Sequence, residues 1–185
     1  MPWKRIKGMD ESLEELKPNV IVEIGSGSGI VSVFCQHLLH VPVLNFATDM
    51  NFKALQCTQT TAELNNVSVE AVQCDLLSAL RYQLSGMVDV LLFNPPYVPT
   101  EQEATSDSAR CWAGGPTGRS AVDRLLLSFH KFCHQAVFYV VALHSNDIFN
   151  MLARNQSIFS SKILLERRCG IEHLFVLKFI KLKEY

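Results

Sequence analysis

The residues best suited to chemistry are Asn94-Pro95-Pro96-Tyr97, directly after the apolar run Val90-Leu91-Leu92-Phe93. Proline lacks a backbone N–H and fixes φ, so the carbonyls around it stay out of a strand ladder and can be aimed at a ligand. The side-chain carbonyl of Asn94 and a neighbouring main-chain carbonyl can accept both hydrogens of an –NH2 group. A planar nitrogen held that way lies in line with an electrophilic methyl. Orientation then supplies most of the rate, because an amide nitrogen is a poor nucleophile in water. The same carbonyls stabilise the positive charge that grows on nitrogen during transfer. Tyr97 offers an aromatic wall for a flat group. The bland reading of the four residues is a rigid turn with an incidental aromatic.

A second constellation is Val22-Glu23-Ile24-Gly25-Ser26-Gly27-Ser28-Gly29, which leaves a strand and opens a helix. Glycines there let a ligand approach the backbone, and the helix start offers unpaired N–H groups. The dinucleotide fingerprint is G-x-G-x-x-G, whereas here the glycines run G-x-G-x-G with Ile30 in the third place. An acid just ahead of the glycines, Glu23, is awkward beside a pyrophosphate. It suits a ligand bearing ammonium and sulfonium charges, such as S-adenosylmethionine. Asp49 ends the second apolar strand at the spacing of a ribose-hydroxyl acceptor. Asp75 ends the third and would reach an adenine edge. Each Asp could instead merely cap the following helix, but both together with Glu23 describe one crevice.

These residues need a frame, and the chain supplies one. Strand-like runs alternate with helical segments, the pattern of an α/β domain with a mostly parallel sheet. Strands are predicted at 19–25, 43–49, 67–74, 88–93 and 136–143, with helices at 28–40, 51–65, 76–84, 120–132 and 146–154. The runs at 162–168 and 172–179 flank Cys169-Gly170-Ile171 and predict a hairpin. Residues 94–118, rich in Pro, Gly, Ser and Thr, form a long loop of the kind that is usually functional.

With 185 residues, 48% of them hydrophobic, and a net charge of -1, the chain suits one domain, 1–185, and argues against a general nucleic-acid binder. Six cysteines lack the repeated spacing of a zinc site or disulfide framework and read as reduced thiols. His130 and His134 could share a helix face, but no acidic third ligand is evident, so no metal is expected. The N-terminus has no apolar signal region and no run is long enough to span a bilayer, so membrane association is not expected. A cytoplasmic location, with the nucleus as a second one, is expected. The sequons at Asn66 and Asn155 read as chance matches.

Taken together, Val22-Glu-Ile-Gly-Ser-Gly-Ser-Gly29, Thr48-Asp49, Cys74-Asp75-Leu76, Phe93-Asn-Pro-Pro-Tyr-Val98 and Trp112-Ala-Gly-Gly115 resemble the HemK-like protein-glutamine methyltransferases. The resemblance runs over roughly residues 20–181 and is nearest the short eukaryotic and archaeal branch. It implies a Rossmann-like class I methyltransferase fold: a seven-stranded, mostly parallel sheet with an antiparallel last strand and helices on both faces. It implies that Glu23, Gly25, Ser26, Gly27, Asp49, Met50, Asp75, Leu76 and Asn94 hold S-adenosylmethionine. The target amide would sit on Asn94, Pro95, Pro96 and Tyr97, with Asn94, Pro95 and Tyr97 as the catalytic set. The substrate implied is the glutamine of the Gly-Gly-Gln motif in a translation termination factor, with histone lysine a second target in some relatives. A small zinc-binding activator subunit, adding to a sheet edge as a heterodimer, is the implied partner.

The chain departs from that pattern before its first strand, where a Glu-Asp-Thr-like run and a following helix are expected. Residues 1–17 read as a remnant of that helical segment. Two other functions fit parts of the pattern. An adenine-N6 methyltransferase would use the same Asn-Pro-Pro-Tyr chemistry, but the charge is neutral and the long loop carries Glu101, Glu103 and Asp107 against Arg110. A shortened chain could also be catalytically silent.

Overall fold

In the computed structural model, residue 13 and residues 15–39, 41–102, 104–132, 136–154 and 156–182 are described, the side chains of 129–132 excepted. The predicted N-terminal remnant falls mostly outside them, as do Cys133, His134, Glu103 and Asn155. Leu13, Glu15 and Leu16 are helical, and Leu13 is buried.

Five parallel strands form the left and centre of a seven-stranded sheet. They are β1 (Val20–Ile24), β2 (Leu44–Asp49), β3 (Glu70–Gln73), β4 (Val90–Phe93) and β5 (Val137–Leu143). β6 (Phe159–Cys169) and β7 (Glu172–Lys181) complete it in the order β3-β2-β1-β4-β5-β7-β6. β7 runs antiparallel to both of its neighbours, and the predicted hairpin is present with Cys169 opposite Glu172. Gly170 opens its two-residue loop at φ +61, a conformation that favours glycine at that place.

Every residue of β1, β4 and β5 is buried, as expected for parallel strands covered on both faces. Val22 and Ile24 face one core with Leu91, Phe93, Phe138 and Val140. Over that face lie helix α4 (Ser120–Phe132), which contributes Val122, Leu125 and Leu126, and helix α5 (Ile148–Ala153). Ile21, Leu92 and Tyr139 face the other core, where helix α1 (Ile30–Leu39) inserts Val31, Cys35 and Leu39. Burying each such side chain contributes about 1.5–3 kcal/mol before entropy is counted. Helix α2 (Phe52–Leu64) packs beside α1 against β2 and β3. Its start is capped by Asn51, whose side chain accepts from the Lys53 N–H at 2.9 Å. A short helix, α3 (Asp107–Arg110), lies within the long loop.

The structure corrects several predicted elements. Residues 76–84 form consecutive turns, not a helix. Leu76 has φ +50, and bonds such as Ser78 N–H to Asp75 O and Leu80 N–H to Leu77 O span three residues. Leu77, Leu80 and Leu84 still reach the core, so the helical spacing of apolar residues was satisfied by turns. β3 is shorter than predicted. The predicted helix at 146–154 is interrupted: a 3-10 turn at His144–Asn146 precedes Asp147 at φ +53, and α5 starts after it. Among the described cysteines only Cys35 is buried; Cys74 is half-buried, and Cys57, Cys111 and Cys169 are exposed. No helix among the described residues is long and apolar enough to cross a membrane.

Candidate active site

The strand order reverses direction at β1, whose neighbours are β2 on one side and β4 on the other. At such a switch point the loops leaving the carboxyl ends diverge and open a crevice. The register pairs Ile24 with Phe93, so Gly25 and Asn94 emerge from the sheet side by side. Asp49 emerges one strand further over.

A cavity of about 620 Å³ occupies this crevice, within the roughly 300–1,000 Å³ typical of small-molecule sites. It is lined by Glu23, Gly25, Ser26, Gly27, Asp49, Met50, Asp75, Leu76, Asn94 and Pro96 among others. The structure therefore brings together ten of the residues singled out in the sequence. Pro95 and Tyr97 do not line it. The Tyr97 phenol is pushed above its ordinary pKa by burial and then by the nearby Glu172 and Cys169. Glu172 and Cys169 flank the β6–β7 turn, so the phenol lies toward that hairpin end.

Glu23 lies on the α1 face of β1, 3% exposed. Its Oε2 accepts from the Ser32 backbone N–H at 2.9 Å and from the Ser32 hydroxyl. Burial raises its carboxyl to about 7, against the pull of the two Ser32 bonds and with a further rise from Asp49. Asp49 braces the glycine turn, accepting from Gly27 N–H at 3.0 Å and from Asn51 N–H at 2.9 Å. Asp75 holds a two-point ion pair with Arg124 on α4, which also lines the cavity.

Each glycine of the turn has a positive φ, from +53 to +73. Gly29 has a second reason: a Cβ there would lie 2.9 Å from the Cα of Thr58. Thr58 is fully buried on α2. It holds the turn through its hydroxyl, 2.9 Å from the Ser26 hydroxyl and 3.2 Å from Gly27 O. Gly27 is the opposite case, for a Cβ there would meet nothing within 4 Å.

Behind the tetrapeptide the long loop folds back as a second layer. Val98 N–H donates to Trp112 O, Gly114 N–H to Val98 O, and Thr100 N–H to Gly115 O, at 2.8–2.9 Å. A Cβ on Gly114 would sit 2.4 Å from Pro96 O, so the two segments touch backbone to backbone. Pro96 O thus faces Gly114, and Tyr97 O accepts from the Asn146 side chain at 2.8 Å. The Asn94 side chain and the carbonyls of Asn94 and Pro95 are left as candidate acceptors for a ligand.

Residues 8–111 match the family described as methyltransferase small domain. The mouse and human proteins named methyltransferase HEMK2 are each 36% identical to the chain, over 88% of it and 78% of their own length.

The chain belongs to this methyltransferase family, in its HemK-like class.

The catalytic subunit mtq2 of the eRF1 methyltransferase of Schizosaccharomyces pombe is 33% identical over 92% of this chain and 79% of its own length. In fold, the methyltransferase resembles the E. cuniculi Mtq2–Trm112 complex, described as responsible for methylation of the translation termination factor eRF1. The TM-score is 0.68 at 22% identity, covering 98% of this chain and 100% of that one. The N-terminal domain of human METTL16, solved with S-adenosylhomocysteine, matches with a TM-score of 0.63 at 16% identity, covering 94% and 66%.

The cofactor of this methyltransferase is S-adenosylmethionine, which supplies an electrophilic methyl on a sulfonium. The donor set fits it: Glu23, Asp49 and Asp75 place carboxylates around the cavity, and Ile30, Met50, Leu76 and Phe93 give apolar walls. The open side of Gly27 leaves room for a ligand against the backbone. Sequence reasoning missed Ser32, Thr58, Arg124 and Asn146. Each acts through a fold contact, and none carries a local motif that announces its partner.

Proposed function

We propose that this chain transfers a methyl group from S-adenosylmethionine to the side-chain amide of a glutamine, the one in the Gly-Gly-Gln motif of a translation termination factor. The observation that carries this reading is that Asn94 opens into the same cavity as Glu23, Asp49 and Asp75. The choice of a termination factor is supported by the name of the fission-yeast relative, an eRF1 methyltransferase subunit, and the choice of glutamine by that of a Methanocaldococcus jannaschii relative, a putative protein N5-glutamine methyltransferase.

The residues then divide the work. The Asn94 side-chain oxygen accepts one hydrogen of the target amide, and the main-chain carbonyl of Asn94 or Pro95 accepts the other. The nitrogen is thereby held with its face toward the cavity, and the carbonyl dipoles oppose the charge that develops on it. Because Asn94 is exposed, the displaced proton can leave to water. Tyr97 is the proposed aromatic wall for the flat amide.

A small zinc-binding subunit is the proposed partner. β3 is an edge strand, and the neighbouring elements expose Leu44 and Leu64. An added strand would cover this edge and the apolar groups near it.

The test compares methyl transfer to a Gly-Gly-Gln factor and to an adenine-containing oligonucleotide, with and without the subunit. Transfer to the factor, lost in Asn94→Ala while cofactor binding persists, is expected. Transfer to the oligonucleotide alone would replace this reading with the adenine one, and no cofactor binding at all would mark a silent chain.

A further inference from the structure

A buried asparagine joins four segments behind the tetrapeptide. Asn146 is 1% exposed and closes the 3-10 turn after β5. Its Oδ1 accepts from the Leu143 N–H at 2.7 Å. Its Nδ2 donates to Tyr97 O at 2.8 Å and to Thr117 O at 3.2 Å. Its own main-chain carbonyl accepts from Arg119 Nη1 at 3.4 Å, and that nitrogen also donates to Asn150 Oδ1 at 3.2 Å. The end of β5, the tetrapeptide and the returning loop are thus tied through one side chain, and the residue before α4 through the same asparagine's carbonyl.

The tetrapeptide needs such a tie. Pro95 and Pro96 bring no N–H to any ladder, so the segment depends on its carbonyls for anchoring. The Tyr97 carbonyl is the one Asn146 holds. Space around this bond is fully used: a Cβ on Gly118 would lie 2.3 Å from both Asn146 Nδ2 and Tyr97 O. Asn146 does not line the cofactor cavity, so it reaches the reaction through the segments it holds, and of the tetrapeptide it holds Tyr97.

We propose that Asn146 is a positioning residue for methyl transfer, fixing the Tyr97 carbonyl and thereby aiming Asn94 and the Pro95 carbonyl at the target nitrogen. The proposal rests on the glutamine-amide reading above for its substrate. A misplacement of an ångström at the reacting groups costs about 100-fold in rate. A purely cohesive role would instead lower the folded fraction and leave each folded molecule fully active.

Asn146→Asp separates the two roles. It keeps the shape and the acceptor for Leu143 but turns an oxygen toward two carbonyls. Three quantities are measured on the full chain: cofactor affinity by calorimetry, single-turnover transfer to a Gly-Gly-Gln factor per folded molecule, and backbone hydrogen exchange. The expected result is affinity within about twofold, transfer slowed about 100-fold, and faster exchange at Val98 and Gly114 but not at Gly27. Gly118→Ala crowds the same bond from the other side and must give the same pattern if Asn146→Asp fails to fold. Unchanged transfer per folded molecule, or unchanged exchange at Val98 and Gly114, overturns the proposal. If the unaltered chain leaves the factor unmodified, the glutamine reading fails instead, and the exchange measurement still decides the role of Asn146.

Discussion

Arg124 grips Asp75 with both terminal nitrogens of its guanidinium, at 3.0 and 2.9 Å, at the rim of the cofactor cavity. Both side chains are partly exposed, 57% and 41%, so the pair adds little to stability, about 0–1 kcal/mol. Its effect is on orientation: it fixes one rotamer of the carboxylate that faces the ligand.

Asp75→Asn is therefore expected to leave the melting temperature almost unchanged. It should weaken S-adenosylmethionine binding about tenfold, the loss of a hydrogen bond to a charged acceptor. Arg124→Gln, which frees the carboxylate without removing it, should weaken binding less. Calorimetric titration beside thermal unfolding checks both.

Glu23 makes the site sensitive to pH. Its folded pKa, about 7, lies above the ordinary 4.5 because burial disfavours the charge. A raised pKa means that its contribution to stability is full below pH 4.5 and is lost as pH rises through about 7. A cationic ligand favours the ionised carboxylate, so cofactor affinity should climb as pH passes 7. Glu23→Gln should flatten that dependence. Titrations on either side of neutrality, in buffers of different ionisation enthalpy, would also register the proton released on binding.

Two glycines make opposite predictions. A methyl at Gly114 meets backbone, Pro96 O at 2.4 Å and Gly118 Cα at 2.7 Å. Gly114→Ala should therefore destabilise the fold by about 1–3 kcal/mol and slow transfer. Gly27→Ala has open space but a φ of +53, which costs about 1 kcal/mol or more. It should keep the fold and lose cofactor affinity, because the methyl enters the cavity. Thermal unfolding and titration of the two variants distinguish them.

Much of this was legible in the chain because the site is built from strand ends. Glu23, Asp49, Asp75 and Asn94 each follow an apolar run, and a parallel sheet brings such ends to one edge whatever the loops do. The hairpin was readable from Gly170, and the Asn51 cap from the helix it starts. The contacts that position the site were not readable. Thr58 reaches the glycine turn from the middle of a helix, and Arg124 reaches Asp75 across 49 residues. Asn146 looked like the start of a helix because its polar side chain gave no sign of turning inward. Leu76 to Leu84 carried helical spacing, yet residue 76 took a left-handed conformation and turns delivered the same leucines to the core. Periodicity records which residues are buried, not which backbone buries them.

In the proposed reaction the methyl arrives on a glutamine side-chain nitrogen held by Asn94. The most direct measurement is fragmentation mass spectrometry of a Gly-Gly-Gln termination factor after incubation with the chain and S-adenosylmethionine. The expected product carries one methyl on that glutamine, and none when Asn94→Ala is used. An unmodified glutamine, or a methyl found on a lysine instead, would contradict it.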